Sequence, residues 1–448
     1  MAVQAVRFFF DSSWASTAVK VRNFKNVNFT EIEAVPALKS LDIEKIFDLS
    51  GILNWIDFKM ASDHQKNFPD RPINVSVLRW AADRAQVSEE TLRKKFKKWD
   101  LWLSGEVQPT FKQLEALAKM TCISFSFFFF HQLPVFKLPV PDFRTIGQKD
   151  TAEPSPNLYD TVVLCRMRQD WFHEYSLEED QPELEFAGSA SVNDSPIEAA
   201  DSIRQTLGIT PENWQRHSSY EQALRSLIDK ADAAGILIMV NSAAGSSRSR
   251  KLDVNEFRGF ALAGRLAPLI FINGSDSQSA QMFTLGYELA RIWLGHTGVS
   301  NPEISDIASP ESAEFWCSSV AAEIFLPLAE LRKVYSPRNG LKNEIDLISK
   351  KYNISPIVVL RRIYDADFID KNALRSFYAI LKSNNVQRNC SRGRNFYDTF
   401  CLRASKRFVE ALLRSTLYNQ TLIRDALHLL CINKIDTIYK TAEKLGIY

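Results

Sequence analysis

Residues 283–296 read FTLGYELARIWLGH. Inside this stretch, Tyr287-Glu288-Leu289-Ala290-Arg291 has the frame of a His-Glu-x-x-His zinc helix, with the glutamate kept and both histidines replaced. In the intact pattern the two imidazoles lie at i and i+4 on one helix face, so both reach one Zn²⁺. The glutamate beside the first polarises the metal-bound water. Arginine is a permanent cation with no lone pair to give. A phenol must first lose its proton, which it holds near neutral pH. An ordinary amphipathic helix would carry YELAR without any such history, so the surroundings decide the reading.

Upstream of the helix come three apolar runs, GILIMV (235–240), FRGFALA (257–263) and APLIFI (267–272). Their length and branched content predict strands of a small sheet. Before them, Pro196 after Ser195 starts a helix that Gly208 stops, and a second helix runs from Tyr220 to Ala234, stopped by Gly235. Beyond the quoted stretch, 311–326 reads as a helix closed by Pro327, and 328–448 as helices with polar turns. Segments 345–363 and 425–442 mimic helix-turn-helix spacing and read equally well as small helical hairpins, neither with a convincing basic face.

The N-terminal part differs. Val77, Leu78, Ala81, Ala82 and Ala85 recur at helical spacing, Ser88-Glu-Glu-Thr91 opens another helix, and Phe111, Leu114, Leu117 and Ala118 mark the apolar face of a further one. Pro134, Pro139 and Pro141 keep LPVFKLPVPDFRT (133–145) extended. Residues 1–70 offer strand-like 19–29 and helical 43–55 but no motif, and Met60 is a second plausible start. The organisation read from this is an extension at 1–70, a helical domain at 71–132 and a proline-rich connector at 133–157. The sheet-bearing domain at 158–335 and a helical region at 336–448 follow.

With 24% charged residues and a net charge of +2, the whole chain is neither a general nucleic-acid binder nor a membrane binder, so basic residues matter only where they cluster. Six scattered cysteines without a CxxC pair read as reduced thiols of a cytoplasmic protein. Asp11 interrupts VRFFFDSSW before it could serve as a signal-peptide core, and no stretch approaches a membrane span.

Taken together, several stretches resemble the ImmA/IrrE family of zinc-peptidase-like proteins. FRGFALAGRLAPLIFINGSDSQSAQMFTLGYELARIWLGHTGVS (257–300) resembles the family's sheet, turn and metal helix. ESAEFWCSSVAAEIFLP (311–327) is similar to the glutamate helix that follows, and GRNFYDTFCLRASKRF (393–408) to the C-terminal helical region. LSGEVQPTFKQLEALAK (103–119) and LPVPDFRT (138–145) look like its helix-turn-helix module and connector. The resemblance implies an α+β fold: an N-terminal helical module, a central zincin-like domain and a helical C-terminal region. It places Glu288 at the general base, Tyr287 and Arg291 at the two histidine positions, and Glu314 at the third ligand, with Glu323 the alternative. His296 lies past the helix end, off the face of 287 and 291.

The same resemblance makes residues 73–121 similar to an XRE-type helix-turn-helix, with Arg93, Lys94, Lys95, Lys97 and Lys98 where its recognition helix should begin. Leu92 to Trp102 is about one turn short of such a helix. DNA binding and docking to a protein body are both open for it. The family implies regulators in bacterial or phage repressor, toxin–antitoxin or defence systems, whose active members cleave a partner protein. For this chain the expectation is a zinc-free pseudo-peptidase that binds a protein partner (a repressor, antitoxin or toxin), with no cofactor unless the histidines are restored. An active metallopeptidase and a DNA-binding regulator are the alternatives.

Overall fold

The computed structural model describes residues 73–142, 153–300, 312–384 and 396–447, apart from short gaps at 86, 124, 130–132, 134–136, 215–216 and 248. The elements expected at 19–29 and 43–55 lie outside the described residues. Two compact units divide the chain, 1–135 and 136–448. The fold is α+β.

The first unit is helical. Helix α1 (Val75–Arg84) buries Val77, Leu78, Ala81 and Ala82, the periodic positions of its sequence. Ser88 opens α2 (Glu89–Lys95) by accepting a hydrogen bond from the Thr91 amide at 3.3 Å. A short α3 (Trp99–Leu103) and α4 (Phe111–Thr121) follow, then a 3-10 turn at Phe125–Phe129. Two expectations are corrected here. The segment from Leu92 to Trp102 is not one helix: Phe96 leaves it at φ −119°, ψ 90°. That break lets Phe96, Trp99 and Trp102 enter the core that Leu92 already occupies. Phe111, assigned to the apolar face of α4, is 45% exposed and rests against the Phe125 ring at 4.6 Å.

The second unit begins with α5 (Pro156–Glu178), α6 (Pro196–Thr206), α7 (Pro211–Trp214) and α8 (Tyr220–Ala233). Strands β1 (Leu237–Asn241), β2 (Gly259–Leu262) and β3 (Leu269–Asn273) lead into α9 (Gln278–Leu294) and β4 (Gly298–Ser300). Then come α10 (Ala313–Phe325), α11 (Leu328–Val334), α12 (Leu341–Tyr352), α13 (Pro356–Asp365) and α14 (Lys371–Asn384). The chain continues with α15 (Phe396–Ala404), α16 (Lys406–Leu417), α17 (Ile423–Leu429) and α18 (Ile435–Lys444).

The sheet order is β1-β3-β2-β4. β1 and β3 are parallel, and the pairs β3–β2 and β2–β4 are antiparallel. Its two faces feed two cores. Ile238, Val240, Ala261, Ile270 and Ile272 meet α6, α8, α9 and α10. Met239, Phe260, Leu262, Leu269 and Phe271 meet α5 and α15 to α18. Covered on both sides, the strands read as unbroken apolar runs rather than alternating ones. Helices α12 and α13 join the first core, so residues beyond 335 pack with the sheet-bearing part.

Helix α9 lies inside this layered arrangement, with every residue from Gln281 to Leu294 buried. Ser277 caps it, accepting from the Ala280 amide at 3.3 Å, and Gly295 ends it at φ +70°, the left-handed stop that glycine favours. Two glycines set how closely α9 is approached. A Cβ on Gly286 would lie 2.6 Å from Cε2 of Phe325 on α10. One on Gly259 of β2 would lie 2.7 Å from Cγ2 of Thr284 and 2.9 Å from the Phe271 carbonyl oxygen.

The Gly286 contact yields a test. Gly286→Val forces α9 and α10 apart in a core without slack, and overpacking of this kind costs about 1–3 kcal/mol. The expected result is a lower urea midpoint at an unchanged slope. An unaltered midpoint would mean that the helices are not held at this separation.

Candidate functional site

Glu288 is 0% exposed and sits where α9 crosses the ends of β2 and β4. One oxygen, Oε1, accepts a short hydrogen bond from the Ser300 hydroxyl. The other, Oε2, has no hydrogen-bond partner among the described residues, and its nearest cation is Nε of Arg291 at 4.0 Å. Arg291 is itself only 4% exposed. Burial pushes the Glu288 carboxyl up to about 7, against the opposing pull of Arg291 and the Ser300 hydrogen bond. Desolvation therefore outweighs a cation one helical turn away, as expected where no water reaches the charge.

Tyr287 is buried too, at 2% exposure. Its phenol is held well above its ordinary range, first by burial, then by Cys317 and the acids Glu288 and Glu314, with Arg291 acting the other way. Four of these groups belong to the set picked from sequence, and the fold brings them within electrostatic reach of one another. Glu314 stands in the first turn of α10 and is half-buried. His296 lies beyond the Gly295 stop, exposed, and burial and Arg291 lower its pKa while Glu314 raises it.

The alternative acid, Glu323, is committed elsewhere. It is 4% exposed and forms a close ion pair with Arg362 of α13. Arg362 Nε also donates to the Leu326 carbonyl at 2.9 Å, and Arg204 of α6 donates to the Glu323 carbonyl at 2.6 Å. This network fastens the end of α10 to two neighbouring helices.

Sequence reasoning missed Ser300, Cys317 and Gly259. Cys317 follows Glu314 by three residues, a helical spacing that could have flagged it. Ser300 closes a three-residue strand, and no spacing to Glu288 marks it. Gly259 is needed because a Cβ there would also approach Oε1 of Glu288, to 3.3 Å.

The donor set does not suit zinc. At 287 and 291, where the resemblance would expect imidazoles, stand a phenol that keeps its proton and a guanidinium that repels a dication. Among the described residues, no three His, Cys, Asp or Glu side chains converge as a metal-binding group.

The basic cluster of the first unit is partly neutralised by its own surroundings. Arg93 pairs with Glu89 at 2.6 Å and Asp100 at 3.1 Å, and Lys94 with Glu90 at 2.7 Å. Nζ of Lys95 lies 5.6 Å from the Phe96 ring centre. Lys97 and Lys98 flank the break after α2 rather than a continuous helix. Exposed pairs of this sort are cheap to open.

The raised carboxyl predicts a pH dependence. Glu288 binds its proton more tightly folded than unfolded, so its contribution is full below about pH 4.5 and is lost as pH rises to about 7. The span corresponds to on the order of 3 kcal/mol. Glu288→Gln keeps the acceptor for Ser300 without the charge. Its melting temperature relative to the parent should therefore rise between pH 5 and pH 8. A difference that does not change with pH would show that Glu288 is solvated or fully paired.

Residues 231–364 match the peptidase M78 family model, described as the IrrE N-terminal-like domain. Residues 404–444 match a domain of unknown function, DUF8813, which spans α16 to α18. No curated protein and no solved structure matches the chain. Among the described residues no helix is long and apolar enough to cross a membrane. The first match begins near the end of α8 and runs through the sheet, α9 and α10 to α13, so it contains Tyr287, Glu288, Arg291 and Glu314. Over this segment, about a third of its length, the chain is similar to the IrrE N-terminal-like domain.

Proposed function

We propose that the chain is a zinc-free pseudo-peptidase that acts as a regulatory binding protein, holding a partner protein without cutting it. The observation that carries this reading is Arg291, a buried guanidinium at a position where hydrolysis needs an imidazole, 4.0 Å from the glutamate that would serve as base. Without a metal no hydroxide forms there at neutral pH, and Glu288 has no nucleophile to activate. What survives the loss of the metal is the scaffold. The outer edge of β4 already accepts extended chain: the Val299 amide donates to the Pro141 carbonyl at 3.0 Å, and Asp142 bridges Val299 in parallel. Backbone pairing of this kind needs no metal, so a partner segment is held by extending or displacing the connector at this edge. The resemblance to the ImmA/IrrE family is what suggests a repressor, antitoxin or toxin of a bacterial or phage regulatory system as that partner.

Native complexes of the chain, purified and examined by mass spectrometry, should contain an intact partner. A partner recovered as two fragments with a defined cut would contradict the reading.

The scaffold's ancestry is testable separately. Tyr287→His with Arg291→His restores two imidazoles on one face of α9, opposite Glu314. Zinc should then bind 1:1 at about micromolar affinity or tighter, because ligand type and spacing are what the metal requires. Glu314→Ala in that background should abolish binding. Glu323→Ala should leave zinc affinity nearly intact while lowering stability, since it strands Arg362. A folded double variant that takes no zinc in calorimetry would show that Glu314 is not the third ligand.

A further inference from the structure

A cavity of about 220 Å³ lies on the other side of the sheet from Glu288, between α5, the end of β1, α15 and residues 430–432. One wall belongs to the IrrE-like domain, through Asn241 and Phe271. The opposite wall belongs to the DUF8813 match, through Ala404 and Leu430. Two guanidinium-bearing residues, Arg168 and Arg403, line the space, and no acidic residue does.

Arg168 is the unusual group. It is 4% exposed, and among the described residues no carboxylate lies within ion-pair distance of it. Its Nε donates to the Leu429 carbonyl at 2.9 Å, and Nη1 to the Arg403 carbonyl at 3.1 Å, with the Met239 sulfur at 3.4 Å. Nη2 makes no hydrogen bond to the described residues. The Phe408 ring, 5.9 Å from the guanidinium carbon, adds a cation–π contact. A buried cation compensated by carbonyls, a sulfur and a ring but by no carboxylate is costly, and an anion in the adjoining space would complete it. The nearby thiol does not supply the charge, because burial pushes Cys165 up to about 12. The rest of the lining is mixed, with Thr161, Asn241 and Ser246 beside an apolar part that a bare inorganic anion would not use, notably the rings of Phe271 and Phe400. For scale, a dry cavity of about 150 Å³ holds benzene.

We propose that this cavity binds a small carboxylate with an apolar body, of about the size of benzoate, its carboxylate on Arg168 and Arg403 and its body against Phe271 and Phe400. The guanidinium fork matches a carboxylate's two oxygens. Such a ligand spans both matched segments, so its binding stabilises their joint packing and makes the C-terminal module a small-molecule sensor.

The test is calorimetric titration of the full chain with sodium benzoate, beside 3-methylbutanoate, neutral benzamide and inorganic phosphate. The expected result is 1:1 binding of the carboxylates with Kd below about 1 mM, a reachable value for a ligand of this size. Benzamide should bind at least about tenfold more weakly, and phosphate not measurably. Arg168→Met should weaken benzoate at least about tenfold, the loss of one charge-assisted contact. Because Arg168 also holds two carbonyls, Ala243→Phe is the second variant. It fills the lining position of Ala243 and leaves both arginines, and benzoate binding should disappear. No heat with either carboxylate up to about 10 mM would overturn the proposal. So would equal binding of benzamide, preferential binding of phosphate, or full benzoate affinity in a folded Ala243→Phe protein.

Discussion

The arrangement of the second unit depends on one buried contact, the approach of Glu288 and Arg291 on a helix that water does not reach. Both side chains are at most 4% exposed, and the helix bearing them is covered by the sheet on one side and by α10 on the other. The pairing is loose, with Arg291 Nε 4.0 Å from the Glu288 oxygen that has no hydrogen bond among the described residues, and burial holds the carboxyl up at about 7 in spite of it. Ser300 donates a hydrogen bond to Oε1 of Glu288, and Arg291 supplies the nearest positive charge. The proposed loss of the metal ligands is therefore compatible with a folded α9, since the groups around Glu288 come from the protein itself.

Much of this was legible beforehand, for definite reasons. The caps at Ser88 and Ser195 and the glycines after α6 and α8 put helix ends within a residue or two of their sequence marks. The strands were recognisable as three short apolar runs because they are buried on both faces. Tyr287, Glu288 and Arg291 could be chosen because i to i+4 spacing survives substitution. Glu314 and Glu323 could not be separated by spacing alone. Their separation rests on Arg362, a residue of α13 that approaches Glu323 only in the folded chain.

The failures were tertiary in origin. The break at Phe96 is invisible to helix propensity, since RKKFKKWDLW contains neither glycine nor proline. It is dictated by three large rings that reach one core only if the helix is interrupted. Ser300 was missed for a similar reason, as a three-residue strand carries no period. The connector was read as extended from its prolines, but its pairing with β4 required knowing which strand lies at the sheet edge.

The central claim, that a protein guanidinium has replaced the metal, is tested most directly by elemental analysis of the purified chain. The protein would be equilibrated with a modest excess of zinc and then passed through mild chelation. Well under one zinc per chain is expected, with the same melting temperature before and after chelation, because no ligand set depends on the metal. One zinc per chain, lost together with stability on chelation, would contradict it.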